Sequence, residues 1–387
     1  MIARIAADKL KDLARKFPAI GLLGPRQSGK TTLAKALFSD KPYVSFENQD
    51  NQLAADTDPN GFLKGFPMGA VFDEIQRVPL LFSYLQGIID EQPDKTGLFI
   101  LTGSQNFLLL ESITQSLAGR IAFVHLLPFS YPELKHTPFG DGPIDHLLFW
   151  GGYPRLYDKG MLPSDYYPNY ILTYVERDVR QIKNISNLTL FQRFLKICAS
   201  RVGQVVNYAS IANDCGIDQK TVAVWIGILE TSFIAFTLRP YYNNFSKRLI
   251  QMPKLYFYDT GLCCSLLEME EVGHLSNHPL RGSIFENFVV LELLKKRLNS
   301  GQRANLYFWR DRTGHEIDVL VDKAGGAMPI EIKASQTYNK DFLKGISYWK
   351  GIQPASTASF VIYTGSGGLI QHDTQVLNWR QIDDIPV

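Results

Sequence analysis

The chain has 387 residues, enough for two or three domains, and its composition (45% hydrophobic, 20% charged) excludes a disordered or fibrous protein. A net charge of +2 excludes a polycation, so any contact with nucleic acid has to come from a local basic patch. The four cysteines, Cys198, Cys215, Cys263 and Cys264, form no C-x-x-C pair, and the charged N-terminal stretch lacks the apolar run of a signal peptide. The most apolar stretch, Thr221 to Leu238, is interrupted by Glu230 and is short for a membrane span. A reduced, cytoplasmic protein without a membrane partner is expected.

Over the first 150 residues apolar runs alternate with helix-like stretches, the pattern of a parallel sheet with crossover helices. The runs are Ala19–Leu23, Tyr43–Phe46, Ala70–Phe72, Leu98–Leu101 and Ile121–Leu127. The first ends in Gly24-Pro25-Arg26-Gln27-Ser28-Gly29-Lys30-Thr31, followed by Thr32, which satisfies G-x-x-x-x-G-K-[ST]. Glycines at this spacing let the backbone fold tightly, so that its N–H groups turn inward onto phosphate oxygens. The following helix adds the positive end of its dipole. Lys30 is then expected to reach the β- and γ-phosphates of ATP, and the Thr31 hydroxyl to ligate Mg²⁺.

The third run leads into Asp73-Glu74, a buried strand ending in two acids. That is the Walker B arrangement, with Asp73 on the Mg²⁺ shell and Glu74 polarising the attacking water. The fourth run ends Leu101-Thr102-Gly103-Ser104-Gln105-Asn106. Ser104 or Asn106 either senses the γ-phosphate and its water or simply caps the next helix.

After Gly151-Gly152-Tyr153-Pro154 the alternation stops, and residues 166–240 read mainly as helices. Tyr208–Ile217, with Gly216 at its turn, followed by Asp218-Gln219-Lys220-Thr221-Val222, has a helix-turn-helix signature. The second helix would offer Asp218, Gln219, Lys220 and Thr221 to a base edge, a modest set without a basic stripe. A winged helix that packs as a lid or linker is therefore preferred to a DNA reader.

In the last third a helix around Phe285–Leu294 precedes a strand at about Leu306–Trp309. Glu316–Asp322 and Pro329–Ser335, joined across Gly325-Gly326, predict a hairpin on which Glu331 and Lys333 share a face. This fits D-x(n)-E-x-K phosphodiester cleavage: Asp318 and Glu331 on Mg²⁺, Lys333 stabilising charge, and Glu286 assisting from the helix. The bare triplet is common, and Glu133-Leu134-Lys135 has the same spacing with no such setting. Hairpin and acidic helix favour the nuclease-like fold and leave active chemistry open.

With these motifs in order, the chain resembles a family of bacterial and archaeal AAA+ ATPases that carry a C-terminal domain of unknown function, PD-(D/E)xK nuclease-like in signature. The resemblance rests on Gly24–Thr32, Val71–Arg77, Leu101–Ser104, Pro128–Ser130, Gly151–Pro154, Tyr174–Val179, Asp259–Leu262 and Glu331–Lys333. It implies ATP and magnesium roles for Lys30, Thr31, Asp73 and Glu74, and three domains: an ATPase over 1–150, a helical linker with a winged helix over 151–275, and a nuclease-like domain over 276–387. Such ATPases commonly borrow an arginine from a neighbouring subunit, for which Arg120, Arg177 and Arg180 are candidates. Three functions are weighed: ATP-controlled, DNA-directed nuclease action; a regulatory ATPase whose C-terminal domain only binds a protein or DNA partner; or a P-loop protein that binds nucleotide without turnover. An oligomer is compatible with each.

Overall fold

The computed structural model describes residues 2–104, 116–179, 187–242, 252–353, 358–371 and 373–387, with backbone only for 176–179. Gln105, Asn106 and Arg180 lie outside the described residues, as does the side chain of Arg177. The chain divides into two compact units: one of residues 1–129, 231–233 and 298–302, the other of residues 130–230, 234–297 and 303–387.

The first unit is built on a five-stranded sheet, β1 (Ala19–Leu23), β2 (Tyr43–Ser45), β3 (Ala70–Asp73), β4 (Phe99–Gly103) and β5 (Ile121–His125), with helix α1 (Lys30–Leu37) after β1. Their order is β2-β3-β4-β1-β5 and every pairing is parallel. The unbroken apolar runs follow from this arrangement, because β1, β3 and β4 are buried along their whole length. Ile20, Leu22, Val71, Ile100 and Val124 meet Leu33 and Ala34 of α1 in one core. The order puts β4 between the strand that ends in the glycine loop and the strand that ends in Asp73. In such a sheet, ligands bind beyond the carboxyl ends of the strands.

The second unit begins with helices, among them α2 (Leu188–Ser200), α3 (Tyr208–Cys215) and α4 (Gln219–Thr231), followed by the antiparallel pair β6 (Ala235–Leu238) and β7 (Lys254–Phe257). Gly216 ends α3 in the left-handed conformation, and Asp218 accepts from the Thr221 N–H and hydroxyl at the start of α4. The long helix α5 (Arg281–Asn299) leads into β8 (Leu306–Arg310), β9 (Glu316–Val321) and β10 (Met328–Lys333). Helix α6 (Lys344–Ile352) and strands β11 (Ser359–Tyr363), β12 (Leu369–Gln371) and β13 (Thr374–Asn378) complete a mixed sheet of order β12-β13-β11-β10-β9-β8. The expected hairpin is β9–β10, and β10, β11 and β13 run parallel. Ile346 and Trp349 of α6 pack on this sheet against Ile317, Leu320 and Val361.

Candidate functional site

Gly24 and Gly29 shape the loop after β1. A Cβ on Gly24 would overlap the Leu126 carbonyl oxygen, and Gly29 holds φ 94° at the entrance of α1. No side chain caps α1, so its first N–H groups are left for a ligand. Lys30 is buried, and its Nζ donates to the carbonyls of Gly24 at 2.9 Å and Pro25 at 2.8 Å. Burial pulls its ammonium below the usual lysine range, while Glu74 and Asp73 push the other way.

Thr31 Oγ1 donates to both oxygens of Asp73, at 3.1 and 3.0 Å. The Tyr43 hydroxyl donates to Asp73 Oδ2 at 2.7 Å, and Thr102 Oγ1 donates to Asp73 Oδ1. Burial and the Asp73 charge raise the Tyr43 pKa, which keeps this hydroxyl a donor. Glu74 takes a left-handed backbone, φ 56° and ψ 43°, which non-glycine residues adopt seldom. Its Oε2 accepts from Gln76 Nε2 at 2.5 Å and Ser104 Oγ at 2.8 Å. Strand β4 thus brings Thr102 to one acid, and the residue just after it, Ser104, to the other.

The donor set fits a nucleotide with a hard divalent cation. Hydroxyl and carboxylate oxygens of Thr31 and Asp73 lie side by side, and the buried Ser28 Oγ in the glycine loop has no hydrogen-bond partner among the described residues. The loop residues named from sequence, Gly24 to Thr32, therefore stand together with Asp73, Glu74 and Ser104. Arg26 lies 3.9 Å from Glu47. Arg120 is apart from this group: its guanidinium forks onto Asp90 at 2.6 and 2.9 Å. Sequence reasoning missed Tyr43, Thr102 and Gln76. A threonine inside an apolar strand was the available signal for Thr102.

In the second unit, Asp318, Glu331 and Lys333 also meet. Lys333 Nζ lies 2.5 Å from Glu331 and 3.3 Å from Asp318, and the Ile332 N–H donates to Asp318 at 2.7 Å. Burial and the neighbouring Asp318 raise the Glu331 carboxyl well above its ordinary range, whereas Lys333 and Lys254 hold Asp318 low despite its burial. Glu286 of α5 pairs with Lys254 of β7 at 2.9 Å and accepts from the Tyr256 hydroxyl at 2.6 Å. Lys254 also pairs with Glu316 at 2.5 Å. Four carboxylates are thus engaged by two lysines. Among the described residues, no group of three or more His, Cys, Asp or Glu side chains could hold a metal ion. Lys254 and Tyr256 were not anticipated, and the signal was a lysine opening an apolar strand.

A glycine-rich loop at the end of β1, paired acids at the end of β3 and β4 lying between them define a P-loop nucleotide-binding domain of the AAA class, and residues 16–135 match a family model described as an AAA domain. Two models described as domains of unknown function follow, DUF8612 over 143–272 and DUF4143 over 281–382. The chain is 30% identical over 337 residues to the uncharacterized proteins Rv2008c of Mycobacterium tuberculosis and Mb2031c of Mycobacterium bovis, covering 86% of this chain and 74% of theirs. It belongs to the family of these mycobacterial proteins. Among solved structures, the Walker-type ATPase of Pyrococcus abyssi is similar at 16% identity and a TM-score of 0.47, over 69% of this chain and 96% of that one. No helix among the described residues is long and apolar enough to cross a membrane.

Proposed function

We propose that the protein is an ATP-hydrolysing AAA+ switch in which the nucleotide state controls a C-terminal, PD-(D/E)xK nuclease-like domain. The observation that carries the ATPase reading is the convergence of Thr31, Asp73 and Glu74 beside a buried Lys30 at the carboxyl ends of β1, β3 and β4. In this reading Lys30 leaves the loop carbonyls for the β- and γ-phosphates, the loop N–H groups cradle the phosphates, and Glu74 takes a proton from the attacking water. Thr31 and Asp73 would hold Mg²⁺, which when bound neutralises phosphate charge. Ser104 keeps the Glu74 carboxylate in place.

Residues 1–150 are then the ATPase, 151–275 a helical linker with a winged helix built from α2 to α4 and β6–β7, and 276–387 the nuclease-like domain. Asp218 and Thr221 bond to each other, which leaves a poorer set for base contact and supports a packing module. Asp318 and Glu331 would hold a metal in an active nuclease, with Lys333 and Glu286 beside them. The pairing of Glu286 and Glu316 with Lys254 favours a second reading, in which this domain binds a protein or DNA partner without cutting it.

Steady-state ATP hydrolysis with Mg²⁺, on the wild type and Lys30→Ala, with and without duplex and single-stranded DNA, tests the whole. Turnover that depends on Lys30 and rises with DNA supports ATPase control of a DNA-directed domain. Turnover indifferent to DNA, with no DNA cleavage in any divalent metal, leaves the regulatory switch. Wild-type turnover no higher than that of Lys30→Ala would sink the ATPase itself.

A further inference from the structure

Gln76 is buried, although it stands in the turn Ile75–Arg77, just beyond a strand end where side chains usually meet water. Its Nε2 and Ser104 Oγ both donate to Glu74 Oε2. Two donors on one oxygen fix the plane of the carboxylate, and Glu74 Oε1 takes no hydrogen bond among the described residues. Gln76 Oε1 is buried and likewise has no partner among the described residues. Interiors rarely leave an acceptor in that condition unless a ligand or water uses it. An amide carries both heteroatoms on one carbon, so this acceptor stands beside the Glu74 carboxylate.

We propose that Gln76 is a catalytic residue for ATP hydrolysis: Nε2 holds Glu74 with its free oxygen toward the attacking water, and Oε1 accepts that water's other hydrogen. The inference rests on the reading of Glu74 as the group that takes the water's proton. In the step, the water oxygen bonds to the γ-phosphorus, and the bond from phosphorus to the bridging oxygen breaks with its electron pair leaving on ADP. One proton passes to Glu74 Oε1, and the other stays on the new phosphate hydroxyl, directed by Gln76.

Gln76→Leu, near in size, should lower kcat by about 10- to 100-fold, with KM for ATP and the affinity for a fluorescent ADP analogue unchanged within about twofold. Gln76→Glu should be as slow at neutral pH but recover as the pH falls, because a protonated carboxyl donates as the amide does. The wild type should show no such acid recovery. Full kcat in Gln76→Leu, while Glu74→Gln is inactive, overturns the inference and leaves the reading of Glu74 standing. Full activity in Glu74→Gln overturns that reading, and the inference with it. If Gln76→Leu does not fold, the pH profile of Gln76→Glu decides, and its failure to recover in acid is fatal to the proposal.

Discussion

Three hydroxyls meet the Asp73 carboxylate, those of Thr31, Tyr43 and Thr102, and they are not equivalent. In the proposed reading Thr31 is the one shared with the cation, whereas Tyr43 only holds the acid in place. Tyr43→Phe should therefore cost about 1.5 kcal/mol in a urea titration, as for a hydrogen bond to a charged group. Nucleotide affinity should change far less than in Thr31→Ala. In the other unit Asp259 is buried and accepts from the N–H groups of Gly152 and Leu262 and from the Tyr167 hydroxyl. Asp259→Ala strands two backbone donors, and a loss of about 2–5 kcal/mol is expected in the same titration. Burial raises the Asp259 carboxyl above its ordinary 3.8, so the folded state holds more protons than the unfolded one just above that pH. The contribution of Asp259 to stability must then fall as pH rises from 3.8 toward the raised value. The Tm difference between Asp259→Asn and the wild type should accordingly move in favour of the variant over that climb. A difference that moves the other way would show that its hydrogen bonds outweigh burial.

Strand β4 explains why so much of the cluster around Asp73 and Glu74 was legible. Buried parallel strands must be apolar on both faces, so β1, β3 and β4 stand out in the sequence as unbroken runs, and the chemistry lies where each run stops. Lys30, Thr31, Asp73, Glu74 and Ser104 could be picked for that reason. Tyr43 could not, because it opens its run rather than ending it and its partner lies 30 residues away. The C-terminal sheet was half legible. Alternation disclosed β9 and β10; β11 was passed over although Phe360-Val361-Ile362-Tyr363 is an apolar run, β13 pairs in parallel with a distant strand and mixes polar with apolar residues, and β12 is too short and exposed to show a period. Two substitutions test these elements. Gly24→Ala drives a methyl into the Leu126 carbonyl and should weaken nucleotide binding at least tenfold in a fluorescence titration. Trp349→Ala empties the contact of α6 with its sheet and should cost about 3–5 kcal/mol by denaturant unfolding.

On the scale of the molecule, the two units carry their ionisable clusters in different ways. The nucleotide cluster is held mostly by neutral hydroxyl and amide donors. The second cluster is closed by ammonium groups, and Lys254 stands on β7, ahead of the helix and hairpin that carry its partners. Lys254→Met should leave the Glu286 carboxylate without a counter-charge, Glu316 keeping Arg310 at 3.7 Å, and cost about 3–5 kcal/mol, read as a lower denaturation midpoint. Methionine at both 254 and 286 should recover part of that loss.

That ion pair also bears on inheritance. The strand holding Lys254 falls in the stretch matched by one domain model and Glu286 in the next, yet neither charge is at ease without the other. A recombination event cutting between residues 272 and 281 would hand its recipient an unbalanced acid. Among related chains, positions 254 and 286 are therefore expected to change together, and the two stretches to travel as one block wherever the lysine is kept.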